Sequence, residues 1–443
     1  MLGARNRELV GLIPAALLVT AGFAAIFIQS QSKISSVSLT YGAAFLTLCL
    51  ATHLVIRRVT PYADPYLFPL AAVLASVGLV ELYRISTDPF VPEYANVARE
   101  QAQWMVVGLV LFSITIVALR DGRYLRLENY RYLIAIAAIV SLFLPRVPGI
   151  GESSNGIYLS VHVGSITFQP SEFGKIAIVV FLASYLRDNR QLLVTAGKKI
   201  LWLTLPPMKQ FGPLLLIWGS AMAMLLITRE IGTSLMFFGA FLALLYVATG
   251  RLSFPLLGLV LFAAGAYYLG THVGHIYARV LDWEHPFSPK LYNSPAAGSS
   301  YQLAQSLFSQ ADGGILGTGF GQSLAPQLVP VPQSDMIYSV ITNETGLVGA
   351  TGLLAVYLVF IARGFKVATL ARDSFSKLLA SGLAFIVAMQ VFVIVGGVTD
   401  LIPLTGVTLP FVAYGGSSVV MNFVLLALLL LVSDRARRPI DML

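Results

Sequence analysis

Residues 378–398 read LLASGLAFIVAMQVFVIVGGV, an uncharged run entered just after Lys377 and left just before Asp400. About 20 consecutive, mostly apolar residues let a helix cross the hydrocarbon core of a bilayer. The run is continuous and does not alternate, which favours a spanning helix over a barrel strand. Comparable stretches lie on both sides of it, near 10–28, 39–56, 66–84, 103–119, 131–145, 168–186, 211–228, 230–249, 254–272, 336–362 and 411–432. The chain therefore reads as an all-α polytopic membrane protein of about twelve transmembrane helices.

The composition agrees. The chain is 57% hydrophobic and only 11% charged, whereas a soluble domain carries about 25% charged residues. It has too few charges to cover a water-facing surface and enough apolar ones to cover a lipid-facing one. The net charge of +8 does not point to nucleic acid, because the basic residues fall in short runs between apolar stretches. Cys49 is the one cysteine, which excludes an intrachain disulfide and a thiolate metal cluster. The first apolar stretch lacks a small-residue cleavage site and is expected to be a retained helix.

The loops orient the chain. One alternating set holds 21 of the 29 Lys and Arg residues, among them Arg57, Arg58, Arg120, Arg123, Arg126, Arg187, Arg190, Arg363, Lys366, Arg435, Arg437 and Arg438. The positive-inside rule then puts both termini in the cytoplasm. Two outer loops are long, at about 146–167 and about 273–335. The second is rich in Gly, Pro, Ser and Gln and too long for a plain connector. No soluble domain, tandem repeat or low-complexity tract is evident.

Ionisable residues inside a bilayer cost at least about 2.5–3.5 kcal/mol each on insertion scales, so they direct attention to function. Gln169-Pro170-Ser171-Glu172-Phe173-Gly174-Lys175 starts a helix with proline in its first turn, and Glu172 and Lys175 share a face. They form either a structural ion pair or the polar wall of an outward-opening cavity. Arg229 and Glu230 sit in a tight turn, as a snorkelling pair or as part of a site. Asp335 stands at the start of the tenth helix, either as an acid favoured by the helix dipole or at the top of a polar stripe with Ser339 and Thr342; Glu344 faces roughly the other way. The long loop adds Arg279, Asp282, Glu284, His285 and Lys290. His285 has no histidine partner at metal-ligand spacing. The glycine-dense 313–321 follows no βαβ strand and is no nucleotide fingerprint. Pro403 to Ser418, with two prolines and the Gly415-Gly416 pair, implies a broken or re-entrant segment, which is tolerated only where it is buried in protein or lines a cavity. Its hydroxyls, Thr408, Ser417 and Ser418 with Tyr414, are candidate ligand donors. These residues define a polar cavity but do not separate a transporter from an enzyme acting on a lipid-linked substrate.

Several motifs resemble those of one family. Phe168 to Lys175 and Thr408-Leu409-Pro410-Phe411-Val412-Ala413-Tyr414-Gly415-Gly416-Ser417-Ser418 resemble the two most distinctive signatures of the SEDS family (shape, elongation, division and sporulation), the RodA, FtsW and SpoVE group. Ser300-Tyr301-Gln302-Leu303-Ala304-Gln305-Ser306 resembles its GYQxxQS, Gly317-Thr318-Gly319-Phe320-Gly321 its GxGxG, and Ser334-Asp335-Met336-Ile337-Tyr338 with Glu344-Thr345-Gly346 its TDFIF…EELG. Order and spacing agree from about residue 66 to 435. Residues 1–62 then read as an extra N-terminal transmembrane helix pair ahead of a ten-helix core at 63–443. Departures are Glu230 in place of the aspartate of DxGT, Asn343 in place of the first acid of EELG, and an altered stretch over 290–299.

The resemblance implies a peptidoglycan glycosyltransferase that polymerises lipid II, the undecaprenyl-pyrophosphate-linked disaccharide-pentapeptide, at the outer face of the bacterial cytoplasmic membrane. It serves elongation, division or sporulation with a class B penicillin-binding protein as partner, in contact with membrane lipid and not with nucleic acid. The family's essential aspartate carries over to Asp335 as general base, with Asp282, Glu284 and Glu230 as runners-up. Glu172, Lys175, Gln169, Ser171, Arg279, Glu344, Thr408, Tyr414, Ser417 and Ser418 are the cavity residues. Lys175, Arg279 or a divalent cation (Mg2+ or Mn2+) would neutralise the leaving pyrophosphate, and no organic cofactor is implied. A lipid-linked-precursor transporter and an inactive scaffold for the penicillin-binding protein remain as alternatives.

Overall fold

The structure is a computed structural model that describes residues 3–30, 36–154, 157–164, 166–195, 198–200, 203–205, 231–293 and 300–442, together with Gly212 and Gly219. Its helices, in chain order, begin with α1 Ala4–Gly11, α2 Ile13–Ser30, α3 Ser36–Val59, α4 Leu67–Ser86, α5 Val97–Ala118, α6 Arg131–Phe143 and α7 Pro170–Thr195. They continue with α8 Ile231–Thr249, α9 Ser253–His272, α10 Gly274–Glu284, α11 Pro289–Tyr292, α12 Tyr301–Gly313 and α13 Ala325–Leu328. The last three are α14 Ile337–Leu370, α15 Ser374–Val398 and α16 Gly416–Arg437.

Among the described residues, ten helical stretches are long and apolar enough to cross a membrane, where twelve were expected. The difference has two sources. The 168–186 stretch does form a helix, α7, but Glu172, Lys175, Arg187 and Asp188 make it too charged to count by composition. The 211–228 stretch lies outside the described residues, apart from Gly212 and Gly219. Two boundaries also move. Helix α5 starts at Val97, earlier than 103, because its first turn (Arg99, Glu100, Gln101) is polar and hides the helix from a search for apolar runs. Helix α16 starts at Gly416, later than 411, because the preceding residues are irregular.

The membrane protein is all-helical in its described long apolar segments, as expected, and its loops add short strands. The 146–167 loop folds into a three-stranded antiparallel sheet, Gly151–Ser154, Ile157–Val163 and Ile166–Phe168, in which Val161 pairs with both Gly151 and Phe168. Ile157–Val163 reads IYLSVHV, whose alternation and β-branched content fit a strand. A second antiparallel pair joins Lys198–Ile200 to Leu203–Leu205. The described part of the 273–335 loop holds the helices α10 to α13.

The chain divides into two compact units. One comprises Met1–Arg120, Ala278–Arg363 and Gln390–Leu443. In it α16 packs along α5, and α2 and α3 pack on α4 and α5. A side chain at Gly78 would strike the Val412 carbonyl, so α4 lies directly against the 412 backbone. Phe411 fits between the rings of Phe360 and Phe423, at centroid distances of 5.9 and 5.4 Å. One end of the unit is fastened by charge. Asp64 binds Arg363 (2.6 Å) and Arg437, and Asp434 accepts the Tyr62 amide (2.9 Å) and pairs with Arg438 (2.8 Å). Glu8 meets Arg5 and, at 2.7 Å, His53.

The other unit comprises Asp121–Tyr277 and Gly364–Met389. In it α7 packs against α6 and α8. Tyr124 and Ser376 share a hydrogen bond of 2.6 Å, and Arg131 and Arg187 pair with Asp188 and Glu128.

Candidate active site

Asp335 stands two residues ahead of α14, after Pro330, Val331 and Pro332. The Ser334 hydroxyl donates to its Oδ1 at 3.0 Å. That bond, backbone amides and the charge of Arg279 all favour the carboxylate, but burial outweighs them and holds the Asp335 carboxyl above its ordinary pKa. A base intended for a hydroxyl proton needs such a shift toward the working pH.

Arg279 and its neighbours come from α10. Arg279 donates to the Leu404 carbonyl at 2.8 Å, and one turn on Trp283 donates to the Asp400 carbonyl at 2.9 Å. Asp282 lies on the same helix, and burial pushes its carboxyl up to about 6 against the charge of Arg279 and the Ser300 amide. Arg279 thus acts electrostatically on both Asp335 and Asp282. Glu284 and His285 are exposed.

Residues 399–415 form the expected irregular segment. Four described non-glycine residues have positive φ, and three of them, Val331 (54°), Asp400 (65°) and Phe411 (65°), frame this site. Such conformations persist where the surroundings over-determine them. Here the surroundings are specific bonds. Gln390 donates to the Thr408 carbonyl (2.7 Å), Tyr357 to the Pro410 carbonyl (2.5 Å), and the Gln101 amide to the Ala413 carbonyl (3.2 Å). The Gly415 amide donates back to Gln101 Oε1 (3.3 Å), and the Tyr414 amide donates to the Gln333 carbonyl (2.8 Å). The Tyr414 hydroxyl donates to Glu100, and burial together with that carboxylate raises its pKa. Thr408 donates to Ser418 (2.9 Å), which also accepts from Asn422 (3.3 Å); Ser417 is buried beside it.

Two expectations look different in three dimensions. The stripe below Asp335 is closed over: the Ser339 and Ser306 hydroxyls bond at 2.6 Å, and Thr342 donates to the Tyr338 carbonyl at 2.7 Å. Glu344 is buried in a charge cluster of its own, 3.2 Å from Arg84 Nε. Arg84 also pairs with Asp88 (3.1 Å) and donates to the Ser323 carbonyl (2.9 Å). The glycine-dense loop docks on this point: the Thr318 and Gly319 amides donate to the Asn343 and Glu344 carbonyls at 2.9 and 3.0 Å. Gly346, at φ 67°, lets α14 bend there, and a side chain on it would strike the Ile315 and Gly317 backbone.

In the other unit, Glu172 and Lys175 form a buried ion pair of 2.5 Å on α7, with buried Ser171 beside them and Gln169 just ahead of the helix. Glu230 lies outside the described residues. Among the described residues no three His, Cys, Asp or Glu side chains converge to hold a metal ion. Sequence reading missed Glu100, Gln101 and Gln333. Their only signal was polarity at the end of an apolar run.

The FtsW/RodA/SpoVE family profile, described as cell cycle protein, matches residues 64–438. The peptidoglycan glycosyltransferase RodA of Mycobacterium tuberculosis is 39% identical over 442 residues, covering 98% of this chain and 92% of that one. The stage V sporulation protein E of Bacillus subtilis is 30% identical over 379 residues, covering 84% and 98%. A solved structure described as showing structural coordination of polymerization and crosslinking by a peptidoglycan synthase complex superposes with a TM-score of 0.66 at 25% identity, over 85% of this chain and 99% of that one. The Thermus thermophilus rod shape determining protein RodA does so with a TM-score of 0.59 at 24% identity, over 85% and 98%. The chain belongs to the FtsW/RodA/SpoVE (SEDS) family and is a multi-pass membrane protein.

Proposed function

We propose that this protein polymerises lipid II into glycan strands with Asp335 as general base. It is a peptidoglycan glycosyltransferase of the SEDS family, by its kinship over nearly its whole length with RodA. Asp335 takes the proton from the 4-hydroxyl of the acceptor's GlcNAc as that oxygen attacks C1 of the donor's MurNAc. The C1–O bond to undecaprenyl pyrophosphate breaks with inversion, and the pair of electrons leaves on the pyrophosphate. Arg279 offers positive charge where that leaving group develops negative charge. The observation that carries this reading is the state of Asp335: a carboxyl raised by burial, steadied by Ser334 and facing the charge of Arg279.

The remaining assignments follow the same reading. Both termini are cytoplasmic, twelve helices span the bacterial cytoplasmic membrane, and the site faces outward. Residues 1–62 form a helix pair added to the core at 63–443. Glu344, Thr408, Tyr414, Ser417 and Ser418 shape the cavity or its support, and Glu172, Lys175, Gln169 and Ser171 form a second polar group for substrate within their own unit. A divalent cation, if one is used, takes its ligands chiefly from the substrate pyrophosphate. A class B penicillin-binding protein cross-links the product strand. The deciding experiment is lipid II polymerisation by purified protein and its Asp335→Asn variant, each with the penicillin-binding partner. Strands from wild type alone support the base assignment; equal strands from both overturn it.

A further inference from the structure

We infer that Gln101 is a positioning residue for Asp335: its amide clamps the 413–415 turn, and that turn holds the backbone two residues ahead of the aspartate. The inference rests on Asp335 being the base. Gln101 is fully buried on α5. One amide group does two jobs, donating to the Ala413 carbonyl at 3.2 Å and accepting the Gly415 N–H at 3.3 Å. Between those two anchor points, the Tyr414 N–H is aimed at the Gln333 carbonyl, at 2.8 Å. The neighbouring Glu100 holds the far end of Tyr414 by its hydroxyl. Two adjacent residues of one helix therefore fix three consecutive residues of an irregular segment, and that segment fixes residue 333.

The chemistry suits a long carboxamide. A carboxylate only accepts and a lysine only donates, whereas a carboxamide does both from one side-chain end. Asparagine is one methylene too short to reach both partners. The segment that carries Asp335 needs this tie, because it leaves Val331 at a positive φ and passes Pro332 before reaching the helix. Loss of the clamp lets residues 333–335 relax and admits water to the carboxylate.

The test uses full-length protein in steady-state lipid II polymerisation across pH, comparing wild type, Gln101→Met, Gln101→Asn and Asp335→Asn. Methionine keeps the volume and removes both hydrogen bonds. The expected result for Gln101→Met is a kcat lowered about tenfold or more with KM changed less than about twofold, as small misplacements of a reacting group produce. The acid limb of the rate profile moves to lower pH, since a better-hydrated carboxylate ionises more easily. A folded Gln101→Met protein with wild-type kcat and an unmoved limb overturns the inference. So does a loss of folded protein with unchanged kcat per folded molecule, which marks a purely structural role. If Gln101→Met does not fold, Gln101→Asn decides by the same two readouts. An Asp335→Asn protein that polymerises at the wild-type rate sinks the base assignment and this inference with it; an inactive Asp335→Asn beside an unaltered Gln101→Met sinks the inference alone.

Discussion

Arg84 and Arg279 each meet carboxylates from distant stretches of the chain, and they use them differently. Arg84 closes on its partners, with Asp88 at 3.1 Å, Glu344 at 3.2 Å and the Ser323 carbonyl at 2.9 Å, at 7% exposure. Gln327 backs Asp88 from the other side at 3.3 Å. Arg279 spends its bond on the Leu404 carbonyl and acts on Asp335 and Asp282 through space. A closed, buried cluster specifies how helices and loops meet. An arginine whose direct bond goes to a backbone carbonyl, with carboxylates reached only through space, keeps charge in reserve for a substrate. Counting charges therefore does not find the site; what each arginine bonds directly does.

The largest effect should come from the open cluster. Asp335→Asn is expected to lower polymerisation about 10²–10⁴-fold, the usual range for a general base, with thermal melting no lower than that of wild type. Equal loss of melting temperature would mean that Asp335 belongs with the structural charges after all. Arg84→Ala should do the reverse. Removing one partner of a buried pair costs about 3–5 kcal/mol, visible as a lower melting temperature in detergent, while surviving folded protein retains its rate. An Arg84→Ala protein that melts normally but does not polymerise would break the distinction.

Asp282 sharpens it through pH. Its carboxyl is pushed up from 3.8 to about 6, so the folded state holds that proton more tightly than the unfolded one. Its contribution to stability is therefore present below the unfolded pKa and is lost as pH rises through about 6. Asp282→Asn should melt higher than wild type at pH 7.5, with the advantage gone near pH 4. A constant difference across that window would show that Asp282 keeps one charge state throughout it and that burial does not hold its proton.

Much of this was legible in the sequence, for identifiable reasons. The 378–398 run and its counterparts announce membrane helices because lipid leaves a long apolar signature. Glu172 and Lys175 could be paired on paper because three residues is one helical turn, and they pair at 2.5 Å. Arg84 and Glu344 could not, since 260 positions separate them and no local rule links the two. Gln101 was hidden because one glutamine in a polar first turn looks like solvent exposure. The sheet at 151–168 was missed because IYLSVHV is too short to stand out beside spanning helices. The polar stripe failed because helical phase says which residues share a face but not that α12 covers it with Ser306.

The smallest effect expected is at Ser334. Its hydroxyl donates to Asp335 at 3.0 Å and favours the ionised form. Ser334→Ala removes that donor and leaves burial to act with less opposition, so the Asp335 carboxyl rises further. A base works only when ionised, so the acid limb of the polymerisation profile should move to higher pH by a fraction of a unit, with the plateau rate nearly kept. Gln101→Met moves the same limb the other way, because it adds water where Ser334→Ala removes a hydrogen bond. Opposite displacements from two substitutions near one carboxyl would be hard to produce by general loosening. Displacements of the same sign would mean that the limb reports another group, with Asp282 the first to examine.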